Sequence, residues 1–153
     1  MNPVGAVLIV IHIAAAILFI GPASVASSMF PGYVPIESNT DSRHPRSSQV
    51  AVALHRISRV YGVLSLIVPA AGIALAIAFG KFTEPWLIIA MGLTAVAGVL
   101  FATRIVPAQA SALSSPPSLH LVGRLGALTG VFNLLWLAVL ALMILRPGDI
   151  HHP

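Results

Sequence analysis

The chain contains no cysteine in 153 residues. That excludes disulfides, thiolate metal sites and cysteine nucleophiles, and it leaves the redox compartment unread. Charge is almost as scarce. Asp, Glu, Lys and Arg together make up 8% of the sequence, against about 25% in an average soluble domain. A water-facing surface could not be covered with so few charges. The four acidic residues are Glu37, Asp41, Glu84 and Asp149, and none lies inside an apolar stretch. This argues against a proton or cation pump built on intramembrane carboxylates. The sequence has no G-x-S-x-G, no P-loop and no H-E-x-x-H, so no catalytic residue is assigned. The basic residues are few and close to apolar runs, so a nucleic-acid partner is not expected.

What the chain has instead is hydrocarbon. Hydrophobic residues make up 58% of it, and the mean hydropathy is +0.97. Four apolar stretches cover residues 4–30, 60–79, 86–103 and 125–145. A bilayer core of about 30 Å needs about 20 apolar residues in helical form. The expected fold is therefore all-α, a four-helix transmembrane bundle forming a single integral membrane domain over residues 1–153. Ser24 and Ala26 form a pair resembling a signal-cleavage site. No Lys or Arg precedes the run, however, and the run exceeds a typical signal core. The segment is expected to be retained as the first span.

Residues 31–49 read as a surface loop rich in Pro, Ser and charge, and residues 80–85 as a tight polar turn. Residues 104–119 read as a third connection with three prolines and four serines. Arg43, Arg46, Arg56, Arg59, Arg104 and Arg124 fall on the side of the two longer connections, whereas the other side holds Lys81 and Arg146 beside Glu84 and Asp149. Cytoplasmic loops carry the Lys/Arg excess. Both termini are accordingly expected outside the cytoplasm.

Leu54-His55-Arg56-Ile57-Ser58-Arg59 precedes the second span, and Leu119-His120-Leu121-Val122-Gly123-Arg124 precedes the fourth. Both read L-H-x-[IV]-[SG]-R, which suggests two tandem helical hairpins in parallel orientation. Small residues recur at helical spacing in three spans: Gly72, Ala76 and Gly80; Ala90, Thr94, Gly98 and Ala102; Gly123, Gly126, Ala127 and Gly130. In lipid, burying Leu does not drive helices together, but close approach at small residues does. Such faces serve folding of one chain, docking of other membrane subunits, or self-association. Pro22 and Pro69 each remove a backbone donor and should kink their helices.

His12 is the candidate cofactor residue, because an ionisable group inside a membrane usually faces the bundle and marks function. It is placed to ligate haem b iron, to bind a quinone headgroup or to carry protons. Its structural alternative is a hydrogen bond to a neighbouring helix, with Thr94 or Asn133 as interhelical polar partners. His55 and His120 precede their spans, and Arg59 and Arg124 lie one turn further along. These four groups suit haem propionates, phosphate or an anionic lipid headgroup, or serve as plain interfacial anchors. His12 is too far outward to pair easily with His55 or His120, and those two could meet only at the membrane edge. The tail pair His151 and His152 reads as polar sequence, and no metal site is assigned. Trp86 fits an interfacial belt, and Trp136 fits bundle packing.

The segments HIAAAILFIGPASVASSMFP, LHRISRVYGVLSLIVPAAGIALA and GRLGALTGVFNLLWLAVLALMILRPG resemble a group of uncharacterised four-span bacterial integral membrane proteins. The resemblance implies a four-helix domain in the bacterial cytoplasmic (inner) membrane. A His early in the first span followed by Gly, here His12 and Gly21, is more loosely similar to copper-resistance D-like proteins and membrane protoporphyrinogen oxidases. That likeness implies haem or metal contact at His12, without the second-helix Lys or Trp pattern of those proteins. Three functional expectations result. The first is an accessory or scaffold subunit packing through small-residue faces. The second is a redox-linked subunit holding haem b or quinone. The third is a small carrier or anionic-lipid-binding protein among membrane lipids.

Overall fold

The structure is a computed structural model that describes residues 3–36, 47–115 and 117–147. Arg43, Arg46, His151, His152 and Asp149 lie outside the described residues. Four helices make up the chain: α1 (Pro3–Tyr33), α2 (Ser48–Ala78), α3 (Pro85–Ser114) and α4 (Leu119–Leu145). No strand occurs among the described residues. All four helices are long and apolar enough to cross a membrane, and the chain is a multi-pass membrane protein.

The helices outrun the apolar stretches. With 27 to 31 residues each, they reach about 40–46 Å at 1.5 Å per residue, beyond the hydrocarbon core. Residues 31–33 and 48–49 of the first connection and 104–114 of the third are helical instead, and α2 begins well before residue 60. Hydropathy drops at the arginines there, but helix propensity does not. Ser47 caps α2 well before its apolar run, its hydroxyl accepting from the Val50 N–H at 3.4 Å. Ser118 caps α4 in the same way through Leu121.

Three of the four prolines inside the helices mark departures from regularity, whereas Pro31, in the last turn of α1, does not. Pro22 has no N–H for the Leu18 carbonyl, and Pro107 has none for Thr103. In both cases a π-turn precedes the proline, over Ala16–Ile20 in α1 and over Phe101–Ile105 in α3. A π-turn bonds five residues back instead of four; the Val106 N–H reaches the Phe101 carbonyl. The missing bond falls within the register change, so the helix continues. Pro69 acts differently. It cannot donate to Ser65, and α2 breaks at Ser65 and Leu66, where the Val68 N–H takes the Ser65 carbonyl at 3.0 Å instead. The expected kinks at Pro22 and Pro69 are thus a π-turn and a break. α2 ends at Ala78, and Gly80 just beyond it takes a φ of +64°, which suits glycine. The Lys81 N–H reaches back to the Ala76 carbonyl and the Gly80 N–H to Ile77, so two of the last carbonyls are satisfied.

The helices pair antiparallel. α1 runs along both halves of α2, α4 lies against α1 and α3, and α2 meets α3 at the arginine-bearing end. The chain is thus two helical hairpins in series, and the first helix of each carries a π-turn. The turns end in the same pattern, Ile20-Gly21-Pro22-Ala23 and Ile105-Val106-Pro107-Ala108. Within the second hairpin, Phe101 packs on Phe132 with ring centroids 4.8 Å apart, and Phe132 meets Trp136 edge-on at 6.3 Å. Ala23, Ala97 and Ile105 close this cluster. Outside it the molecule is inverted relative to a soluble bundle. Only 11–28% of the most apolar windows is buried, and the large side chains left outside are Val, Ile, Leu, Phe and Met. Such a surface requires lipid as its solvent.

The spacing of small residues matches the packing only in part. Ala90 and Ala97 are fully buried, whereas Gly98 and Ala102 face outward. Residues seven apart stay on one helical face within about 20°, but residues spaced by fours drift by about 40° at each step. Gly62 is the closest internal contact: a Cβ there would lie 2.6 Å from Phe101 Cε1, inside the buried ring stack. Gly62→Ala should therefore cost about 1–3 kcal/mol by overpacking. Unfolding in mixed micelles is the check, with Gly98→Ala, which meets nothing within 4 Å, as the neutral control.

Candidate functional site

His12 lies in α1 opposite the second half of α2. Its ring is the neighbour of Gly72, where a Cβ would sit 3.1 Å from His12 Cε1, and the Val68 backbone runs alongside. The imidazole is half-buried, and its Nδ1 is buried without a hydrogen-bond partner. The interhelical partners expected for it are engaged elsewhere. The Thr94 hydroxyl donates to the Ala90 carbonyl of its own helix at 2.8 Å. Asn133 belongs to a link between α1 and α4: Ser24 Oγ donates to Asn133 Oδ1 at 2.6 Å, and Asn133 Nδ2 donates to Ser28 Oγ at 3.0 Å. Ser24 and Ser28 stand one turn apart just beyond the π-turn of α1, so that turn sets the register of the link.

His55 stands at the arginine-bearing end of α2, against α3. Its Nδ1 is 3.2 Å from Gln109 Oε1, and Gln109 Nε2 reaches Ser58 Oγ at 3.5 Å. Gln109 and Ser58 are buried, with 1% and 0% of their surface exposed. With Oε1 accepting, the Nδ1 of His55 carries a proton. Gln109 was not foreseen because residues 104–119 read as a connection. The spacing Ile105, Gln109, Ala112, all three buried, would have revealed a helical face there.

His12 and His55 cannot share one ligand. His12 faces Gly72, and Gly72 lies about 25 Å along α2 from His55 at 1.5 Å per residue. Nor do Arg59 and Arg124 line a common pocket. Arg59 borders a depression of about 300 Å³ together with Ser65, Phe101 and Trp136. Arg124 borders a second one of about 230 Å³, shared with Arg104 and Ser111. His120 is exposed and borders neither. Thus the two L-H-x-[IV]-[SG]-R segments occupy equivalent places in the two hairpins without forming one site.

Trp86 does not sit in an outward belt. It is buried among Ala76, Leu87 and Met143, with the Arg146 guanidinium 5.9 Å from its ring centroid. Trp136 packs within the bundle as expected, between Phe132 and Val68. Among the described residues no group of three His, Cys, Asp or Glu side chains is placed to hold a metal ion.

Comparisons with protein families, with curated proteins and with solved structures returned no match.

The α1–α4 link gives a direct test of its strength. Asn133→Leu should destabilise the bundle by about 0.6–2 kcal/mol. The double variant with Ser24→Ala should add little more, because both remove one link. Steric-trap or micellar unfolding of the four members of this cycle measures the coupling.

Proposed function

We propose that this chain is a non-catalytic subunit of a membrane complex, docking a transmembrane helix of a partner on the outward face of α4. One observation carries the reading: Gly123, Gly126 and Gly130 meet nothing within 4 Å of where a Cβ would stand. Gly62 and Gly72 behave oppositely, since each admits a side chain of a neighbouring helix. The bundle therefore uses some of its small residues and leaves others open, those of α4 along with Gly21, Gly32, Gly92 and Gly98. Leu125, Thr129, Phe132 and Val139 form the buried face of α4. Gly123, Ala127 and Gly130 lie on the opposite side and are exposed. A glycine inside a helix costs about 1 kcal/mol relative to alanine, and here no contact among the described residues offsets it. Close approach of another helix would, through backbone packing.

A second reading has its own observation, the unpartnered buried Nδ1 of His12. A redox-linked subunit would use that imidazole toward one haem b or quinone. The distance to His55 then leaves His12 as the lone imidazole ligand among the described residues.

Two experiments separate these. Gly126→Leu/Gly130→Leu should leave the isolated chain's stability within about 0.5 kcal/mol, as for other open sites, while abolishing co-purification of the partner from native membranes. A wild-type chain that runs as a lone monomer, with no crosslink from a photoreactive residue at Ala127, would defeat the docking reading. Under the second reading, the purified chain shows a Soret band or extractable quinone that is lost in His12→Ala. A colourless, quinone-free preparation from haem-replete cells removes it.

A further inference from the structure

The second depression described above is bordered by two arginines from different helices. Arg104 comes from the π-turn of α3 and Arg124 from the first turns of α4. Like charges facing one depression repel each other unless an anion lies between them. Among the described residues no carboxylate pairs with either or borders the depression, and the one acidic side chain described, Glu84, belongs to the opposite end of the bundle. Ser111 adds a hydroxyl to the rim, and Pro107, Leu121 and Leu128 supply an apolar wall.

Depth identifies the anion. Arg104 directly follows the third apolar stretch and Arg124 directly precedes the fourth. Both guanidinium groups therefore stand at the border between hydrocarbon and water, where lipid phosphates lie. Arginine offers a planar fork that matches phosphate oxygens two at a time. Leu128, half-buried, continues the wall inward along α4, where an acyl chain would run. The π-turn is part of the device. Its added residue rotates the end of α3 relative to a regular helix, and the matching turn of α1 carries no basic residue over Ala16–Ile20. We infer that the groove between Arg104 and Arg124 binds the phosphate headgroup of an anionic phospholipid, with its acyl chain laid along α4.

The test uses the full chain, purified in mild detergent, with phosphatidylglycerol, phosphatidylcholine and inorganic phosphate as probes, and native mass spectrometry as readout. Wild type should retain phosphatidylglycerol in preference to phosphatidylcholine. Retention should fall about fivefold in Arg104→Gln or Arg124→Gln, and about thirtyfold in the pair, on roughly 1 kcal/mol for each arginine near an anionic surface. Arg56→Gln, at the same end but on α2, should change nothing. Helix content by circular dichroism accompanies each variant, and the single variants decide the matter if the pair fails to fold. Equal retention by folded variants would overturn the inference. So would equal retention of phosphatidylcholine, which marks a nonselective lipid shell. Inorganic phosphate that displaces the lipid at millimolar concentration would mark an ion site and overturn the lipid assignment.

Discussion

A backbone carbonyl that loses its helical partner in hydrocarbon finds no water to replace it. That constraint shapes this chain more than any side-chain contact. Pro22, Pro69 and Pro107 each delete one donor within a membrane-length helix, and the structure answers with two π-turns and one break. Ile20 closes the π-turn of α1, Ser65 and Leu66 form the break, and Phe101 opens the π-turn of α3; all of them border the same depression. Where the α1 and α3 helices change register, they deliver Ser24 and Ser28 to Asn133, and Gln109 to His55 and Ser58. Polar links between helices thus follow from the way missing backbone bonds are handled.

Lipid also inverts the meaning of composition. With Val, Ile and Leu outside, apolar contact distinguishes little, and the specificity of packing passes to small residues, stacked rings and a few polar links. Gly62 admits Phe101, Gly72 admits His12, and Ala90 and Ala97 bring α3 onto α4. The glycines of α4, like Gly92 and Gly98 of α3, take no part in that economy.

Much of this was legible in the sequence. Four apolar runs gave four spans, and the repeated L-H-x-[IV]-[SG]-R segment foreshadowed two hairpins. Pro22 and Pro69 marked irregular backbone, and Asn133 was identified as an interhelical polar residue. What stayed hidden has physical causes. Helix ends were set by caps such as Ser47 and not by hydropathy. Pro107 read as a loop residue because its π-turn depends on register and not on composition. Gln109 was hidden with it. Thr94 turned back to its own helix, an option open to any threonine and invisible to spacing. Arg59 and Arg124 share a sequence motif but not a pocket, because they belong to different hairpins.

Absence of cysteine makes the decisive measurement simple, since any single introduced thiol is the only one. Leu134→Cys places it at mid-height on the exposed face of α4, and Ser115→Cys places it at the arginine-bearing end between α3 and α4. A polar maleimide supplied to both faces of opened native membranes should modify the thiol at position 115 rapidly. The thiol at position 134 should stay unmodified until detergent is added. Prompt modification at position 134 in intact bilayers would mean that α4 faces water, and the lipid-solvated bundle would be wrong.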